Sequence, residues 1–257
     1  MLKLQRIEQI KEYVIKHQTV SLDKLVEVFD VSKNTIRRDV QELVDAGEIN
    51  KVYGGVSAKQ SHASLSPLES FTERKTRNLE QKRAIAELAA TYVDDGDIIF
   101  IDSGTTTMEM LEFIKDKEIT VITNNFDFIN SSFPYENLQV ISMGGIFQRK
   151  TRSFSSFRNL ELFQAFNINK AFMASTGISI DHGVTNSSPV ESNIKETVAE
   201  RSAEVFLLVD HQKFGKYALM TYRKLEDIDY LITDQKPPLN YLKFAETNNI
   251  QLLYPGI

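Results

Sequence analysis

Val31-Ser32-Lys33-Asn34-Thr35-Ile36-Arg37-Arg38-Asp39-Val40, with Lys51-Val52-Tyr53-Gly54-Gly55 a short distance beyond, decides how the chain reads. Ser32 stands where a helix N-cap belongs, its hydroxyl offered to an orphan backbone N–H. Ile36, Val40 and Leu43 recur at i, i+4 and i+7, which turns one stripe of the helix inward. Asn34, Arg38 and Gln41 fall on the opposite face, with Arg37 on the flank. A helix so divided presents side chains able to reach base edges and phosphates in a DNA groove.

The residues before it complete the unit. Leu4, Ile7, Ile10 and Val14 form the apolar stripe of a first helix ending near His17. Ser21 is a second N-cap candidate, for a helix through Leu25, Val28 and Phe29. Asp30-Val31-Ser32 is the tight connection, with Val31 as its apolar pin. The order is that of a helix-turn-helix, whose second helix lies in the major groove. Glu48–Tyr53 between Gly47 and Gly54-Gly55 predicts a β-wing that brings Lys51 and Tyr53 near a phosphate. The residues expected to meet DNA are Ser32, Lys33, Asn34, Thr35, Arg37, Arg38, Lys51 and Tyr53.

Residues 1–56 resemble the winged helix of the DeoR family of bacterial transcriptional repressors. The resemblance rests on Val31-Ser32-x-x-Thr35-Ile36-Arg37-Arg38-Asp39 and on the placing of Gly47 and Gly54-Gly55. It departs at Lys51 and Tyr53, where the family more often has Arg and His.

Composition fits an intracellular regulator. The 257 residues, 42% of them hydrophobic, suffice for one or two domains with cores. There is no cysteine, which excludes disulfides, thiolate metal sites and a cysteine nucleophile. His17, His62, His182 and His211 are scattered without metal-ligand spacing, and no phosphate-binding G-x-x-x-x-G-K-[ST] occurs. No metal and no cofactor is expected. No apolar run approaches a membrane span and no signal-peptide core opens the chain, so the expected location is cytoplasmic. Net charge is −5. Residues 1–60 hold ten Lys+Arg and nine Asp+Glu, or +1, which leaves −6 for the rest. DNA affinity must therefore come from a few placed cations and from more than one copy of the chain, a homodimer or homotetramer.

The expected organisation is a winged helix over 1–57, a linker over 58–70 and an α/β sensor domain over 71–257. The stretch Ser57–Ser66 has neither helical nor strand periodicity, and Pro67 closes it. From Phe71 a new pattern begins, in which Leu79, Lys82-Arg83, Ile85-Ala86, Leu88-Ala89 and Tyr92-Val93 form an amphipathic helix. Strands are then predicted at Asp97–Ile101, Ile119–Thr123, Leu138–Ser142, Ala171–Ala174, Val205–Val209, Tyr230–Thr233 and Ile250–Leu253. Runs such as Val205-Phe206-Leu207-Leu208-Val209 suit strands covered on both faces, in a doubly wound, mostly parallel sheet.

Polar clusters at the C-terminal ends of such strands are ligand candidates. Asp102-Ser103-Gly104-Thr105-Thr106-Thr107 opens a predicted helix Met108–Ile114, where free N–H groups favour a phosphate or carboxylate; simple helix capping is the alternative. Asn124-Asn125 can bond sugar hydroxyls or form a turn. Gly144-Gly145 with Arg149, Lys150 and Arg152 supplies a turn and positive charge, and Asp210 through Lys213 adds a cation. Glu191, Lys195 and Glu196 could form an acid–base constellation, but their spacing of i, i+4 and i, i+5 reads as a solvated helix face.

Residues 71–235 resemble the DeoR C-terminal sensor domain, through Asp102-x-Gly104-Thr105-Thr106, Asn124-Asn125, Gly144-Gly145, Gly177-Ile178 and Asp210-x-x-Lys213-Phe214-Gly215. Ser156 departs from a more usual glycine. The resemblance implies a fold similar to ribose-5-phosphate isomerase, glucosamine-6-phosphate isomerase and CoA transferases. It also implies an effector site for a phosphorylated sugar or polyol, not a catalytic one. The expectation is a repressor of a sugar or polyol operon that its effector releases from the operator. The alternative is a sugar-phosphate isomerase with Asp102 or Asp210 as base.

Overall fold

The structure, a computed structural model, describes residues 3–17, 19–46, 48–58, 68–156, 163 and 165–256. Gly47, His62 and linker residues 59–67, on which part of the sequence reading rests, lie outside them. The chain divides into two compact units, Met1–His62 and Ala63–Ile257.

The first unit begins with α1 (Lys3–His17) and β1 (Thr19–Ser21). The helix pair α2 (Leu22–Phe29) and α3 (Lys33–Asp45) comes next, then the hairpin β2 (Ile49–Val52) and β3 (Gly55–Ala58). Both predicted caps form: Ser21 Oγ accepts from Lys24 N–H at 3.1 Å and Ser32 Oγ from Thr35 N–H at 3.2 Å. Asp30 closes α2 in the left-handed region with φ 50°, and Val31 packs on the core from the turn. Ile10, Val14, Leu25, Ile36, Val40 and Leu43 meet there with Ile49 and Val56 of the hairpin. The hairpin joins β1 in an antiparallel sheet of order β1-β3-β2. Gly54 turns it at φ +76°, a conformation with little penalty only for glycine. This is a winged helix-turn-helix.

The second unit opens with α4 (Phe71–Thr76) and α5 (Leu79–Ala90). Then come β4 (Ile98–Ile101), α6 (Thr105–Met108), α7 (Leu111–Ile114), β5 (Ile119–Thr123), α8 (Phe126–Ser132) and β6 (Leu138–Ser142). A hairpin of β7 (Ile146–Gln148) and β8 (Ser153–Ser155) precedes the long β9 (Ile168–Ala174). After it lie β10 (Gly177–Ser179), β11 (Gly183–Asn186), α9 (Pro189–Arg201) and β12 (Ser202–Leu208). The unit closes with β13 (Met220–Arg223), β14 (Tyr230–Ile232), α10 (Leu239–Thr247) and β15 (Gln251–Leu253).

Seven of these strands form one sheet of order β15-β14-β12-β9-β4-β5-β6, and every pairing in it is parallel. Alternation along the strands sends Phe100, Ile122, Met173 and Leu207 to one core with Ile194 and Val198 of α9 and Tyr241 of α10. Ile99, Val121, Phe172 and Phe206 go to the other with Ile85 and Ala89 of α5 and Phe128 of α8. Helices thus cover both faces, and the sheet is doubly wound. The chain builds outward from β4 to β6, then returns to place β9 on the other side of β4. That reversal leaves a crevice at the C-terminal ends of β4 and β9, where such sheets hold ligands.

Four features differ from the sequence reading. The predicted helix Met108–Ile114 is two short helices, Thr105–Met108 and Leu111–Ile114. The pairs β7–β8 and β10–β11, with β13 beside β11, were not predicted; their three- and four-residue strands are too short for alternation to register. Glu191 and Lys195 are not on a solvated face: both are buried, and only Glu196 is exposed. They share the inward stripe of α9 with Ile194, Val198 and Ala199.

Candidate functional site

In the winged unit, Lys33, Asn34, Arg37, Arg38 and Gln41 are exposed along one side of α3, with Thr35 half-buried at its start. Ser32 is occupied as the cap, its hydroxyl 2.9 Å from that of Thr35. Lys33 is held by Asp23 of α2, whereas Arg37 and Arg38 enter no ion pair among the described residues. Their cationic heads are free for phosphate or base edges. The neighbouring Asp39 faces inward, 2% exposed, and takes a 2.6 Å contact from Arg6 Nε of α1. This pair fastens the recognition helix to α1. At the hairpin tip Lys51 and Tyr53 are exposed, Tyr53 completely.

In the sensor unit the crevice between β4 and β9 is a polar chamber. Asp102, directly after β4, is its scaffold. One oxygen accepts from Gly104 N–H (2.6 Å) and Thr107 Oγ1 (2.7 Å), the other from Ala174 N–H (2.8 Å) and Lys195. Four donors fill the carboxylate's acceptor sites. Gly104 is required by this closeness: a Cβ there would lie 2.5 Å from that of Ala174 and 2.7 Å from Asp102 Oδ1. Glu191 is the second buried carboxylate. It accepts from Ser153 Oγ (2.8 Å), Asn186 Nδ2 (3.2 Å) and Ser103 Oγ (3.3 Å). Tyr222, whose hydroxyl bonds Ala174 O at 3.1 Å, has its pKa raised well above normal by burial and then by Asp102.

Above this floor a cavity of about 180 Å³ opens between the loops. It is smaller than the ~300–1,000 Å³ of sites for drug-sized molecules, and suits a small polar metabolite. Five cations line it, Arg74, Arg77, Lys82, Lys213 and Lys216, against three carboxylates, Glu69, Glu191 and Asp210, a surplus of two. Arg77 is paired with Glu69 at 3.0 Å. The others are poorly compensated. Burial depresses the pKa of Arg74 and of Lys213, and takes Lys82 down to about 8. Two buried polar atoms on the walls, Arg74 Nε and Ser175 Oγ, have no hydrogen-bond partner among the described residues. Buried donors and cations are normally satisfied, and an anion is the kind of group that could supply the acceptors they lack.

Comparison with known proteins agrees with both units. The DeoR-like helix-turn-helix domain matches residues 6–62, and the DeoR C terminal sensor domain matches residues 77–235. The chain belongs to the DeoR family. The HTH-type transcriptional regulator IolR of Bacillus subtilis is 41% identical over 97% of the chain and 98% of its own length. The glycerol-3-phosphate regulon repressor of Escherichia coli is 29% identical over 98% of the chain and 99% of its own length. Among solved structures, ribose 5-phosphate isomerase A from Neisseria gonorrhoeae aligns with 52% of each chain at 18% identity and a TM-score of 0.39.

The residues expected to form the DeoR sensor site divide into three groups. Thr105, Thr106, Asp210 and Lys213 line the cavity, and Ser103 and Gly104 line a small second pocket that shares Arg74, Ser175 and Glu191 with it. Asp102, Thr107, Asn124 and Asn125 are buried beneath as framework. Asn125 caps α8 by accepting from Phe128 N–H (3.1 Å) and donates to Asp102 O (3.2 Å), while Asn124 donates to Phe154 O (3.1 Å). Gly144, Gly145, Arg149, Lys150 and Arg152 belong to the β7–β8 hairpin and do not line the chamber. Arg152 is held by Asp127 at 2.6 and 2.8 Å and lies over Phe126. Arg74, Lys82, Ser175, Asn186 and Glu191 were not anticipated. Lys82 carried a readable sign, because it shares the inward stripe of α5 with Ile85, Ala86 and Ala89.

Proposed function

We propose that the chain is a transcriptional repressor of a sugar or polyol operon, and that a phosphorylated sugar or polyol releases it from operator DNA. Reading of the operator falls to Arg37 and Arg38 with Asn34 and Thr35 in the major groove, while Lys51 and Tyr53 steady the wing on the backbone. A winged unit of charge +1 binds tightly only in more than one copy, so the working form is a homo-oligomer.

The observation that carries the effector reading is the set of desolvated cations Arg74, Lys82 and Lys213 around orphaned donors in a 180 Å³ chamber. A phosphomonoester brings close to two negative charges and several acceptor oxygens to such a place. Hydroxyls of the same ligand meet Ser175, Thr176 and Asn186 near Glu191. The name of the Escherichia coli relative, a glycerol-3-phosphate regulon repressor, is in keeping with that chemistry.

An isomerase is the weaker reading. Asp102, its candidate base, already accepts four hydrogen bonds, and Asp210 accepts from Gln212 N–H at 2.9 Å. Isothermal titration with a panel of sugar and polyol phosphates, alongside the unphosphorylated sugars, tests the effector class. Binding of one phosphorylated compound and not of its dephosphorylated form is expected; equal binding of both would remove the phosphate from the proposal.

A further inference from the structure

We propose that Arg74 couples occupancy of the sensor cavity to the winged helix, by making the segment that follows the interdomain connection one wall of the ligand site. The proposal rests on the reading that the cavity takes a phosphorylated ligand. Six lining residues, Leu68, Glu69, Arg74, Arg77, Asn78 and Lys82, come from the first fifteen described residues of the sensor unit. Only residues 59–67 separate that stretch from β3 of the winged helix. A ligand in the cavity therefore touches the end of the chain from which the DNA-binding unit hangs.

Among the described residues this wall has few hydrogen bonds to the body. Helix α4 has six residues. Its internal ties are the Ser70–Glu73 capping box and the Arg77–Glu69 pair, which hold the segment to itself. To the body it is joined by Phe71, whose ring is buried and whose N–H donates to Lys150 O at 2.8 Å, and by Lys82, whose ammonium donates to Arg74 O. Arg74 thus carries two connections on one residue: its carbonyl holds α5 through Lys82, and its side chain lines the cavity, the guanidinium over the Phe71 ring and Nε buried with no hydrogen-bond partner among the described residues. Burial is the largest influence on both cations; Lys82 is then attracted by Asp210 and repelled by Lys213 and Arg74, and Arg74 is attracted by Glu191, Asp102 and Glu69. A dianion touching both offsets the cost of their burial with two attractions and favours the arrangement in which α4 is drawn against α5. A ligand with that differential affinity shifts the position of α4, and with it the tether of the winged helix.

The test is hydrogen exchange on the full chain titrated with inorganic phosphate at constant ionic strength, with DNA from the protein's own upstream region titrated in parallel. Phosphate should slow exchange across residues 71–77 by about fivefold or more and weaken DNA binding by a similar factor. Arg74→Gln should bind phosphate more weakly; at phosphate concentrations that saturate this variant, residues 174–176 and 210–216 should be protected, while protection of 71–77 and the loss of DNA affinity disappear. Arg74→Lys should restore part of both, which a purely structural role for the arginine would not give. Protection of the cavity loops in the unaltered chain without any response in 71–77 overturns the coupling and leaves the anion site standing. No protection anywhere at saturating phosphate removes the site and the coupling together.

Discussion

Lys195 and Asp102, 93 residues apart in sequence, form an ion pair inside the sensor unit with side chains 6% and 2% exposed. The pair closes the crevice between β4 and β9 from below, because Asp102 also grips Ala174 N–H and Lys195 also donates to Ala174 O at 2.9 Å. Removing one partner strands the other charge. Lys195→Met is expected to lower the unfolding free energy by about 3–5 kcal/mol, with Asp102→Asn in the same chain recovering part of it. Denaturant unfolding of the single and double variants checks this. A loss under about 1 kcal/mol in Lys195→Met would show that the pair does not hold the crevice.

Arg38 enters no ion pair among the described residues, so its removal should cost the fold little, and the proposed loss is one contact on DNA. Arg38→Ala should weaken operator binding and reduce the salt dependence by about one unit of slope if the contact is to phosphate. A weakening confined to particular operator bases would assign it to base reading instead. Arg6→Met acts differently: it leaves Asp39 buried without its partner and should lower the melting temperature of the chain.

Lys213 lies in the cavity with its charge poorly compensated. Lys213→Ala should raise the ligand concentration needed for release from DNA by roughly ten- to a hundredfold, the range of a charge-assisted hydrogen bond. Calorimetric titration with the effector found in the panel measures it directly. Unaltered affinity would take Lys213 out of the site.

Lys82 gives the site a pH dependence. Burial lowers its pKa to about 8, so it is cationic below that pH and neutral above it. The second ionisation of a phosphomonoester lies near pH ~6, and the ligand's charge is constant above about pH 7. Affinity for the anion should therefore fall as pH rises from 7 to 9, with proton uptake on binding near pH 8. Lys82→Met should bind more weakly and lose that slope. A slope that persists in the variant would belong to another group.

Much of the fold is legible in the chain because the periodicities are clean. Ser21 and Ser32 are caps that local chemistry alone identifies, and strands such as Leu138–Ser142 are bounded by turn residues. The chamber is less legible. Asp102, Thr107, Asn124 and Asn125 have the right chemistry at the right strand ends, yet the fold spends their hydrogen bonds on its own backbone. The cations that do face the cavity, Arg74 and Lys82, sit on helices where charge ordinarily marks the wet side. Glu191 and Lys195 were misread for the same reason. Their spacing of four suits a surface pair, and only their register with Ile194 and Val198 marks them as inward. Arg74 has no such mark, since a six-residue helix is too short to define a stripe.

The central claim is that one molecule joins an operator reader to a phosphate-responsive sensor. Its most direct test is binding of the full chain to DNA from its own upstream region while sugar and polyol phosphates are added one at a time. Tight, salt-dependent binding that one phosphorylated compound abolishes is the expected result. Specific binding that no compound in the panel disturbs, with none of them bound in calorimetry, would contradict it.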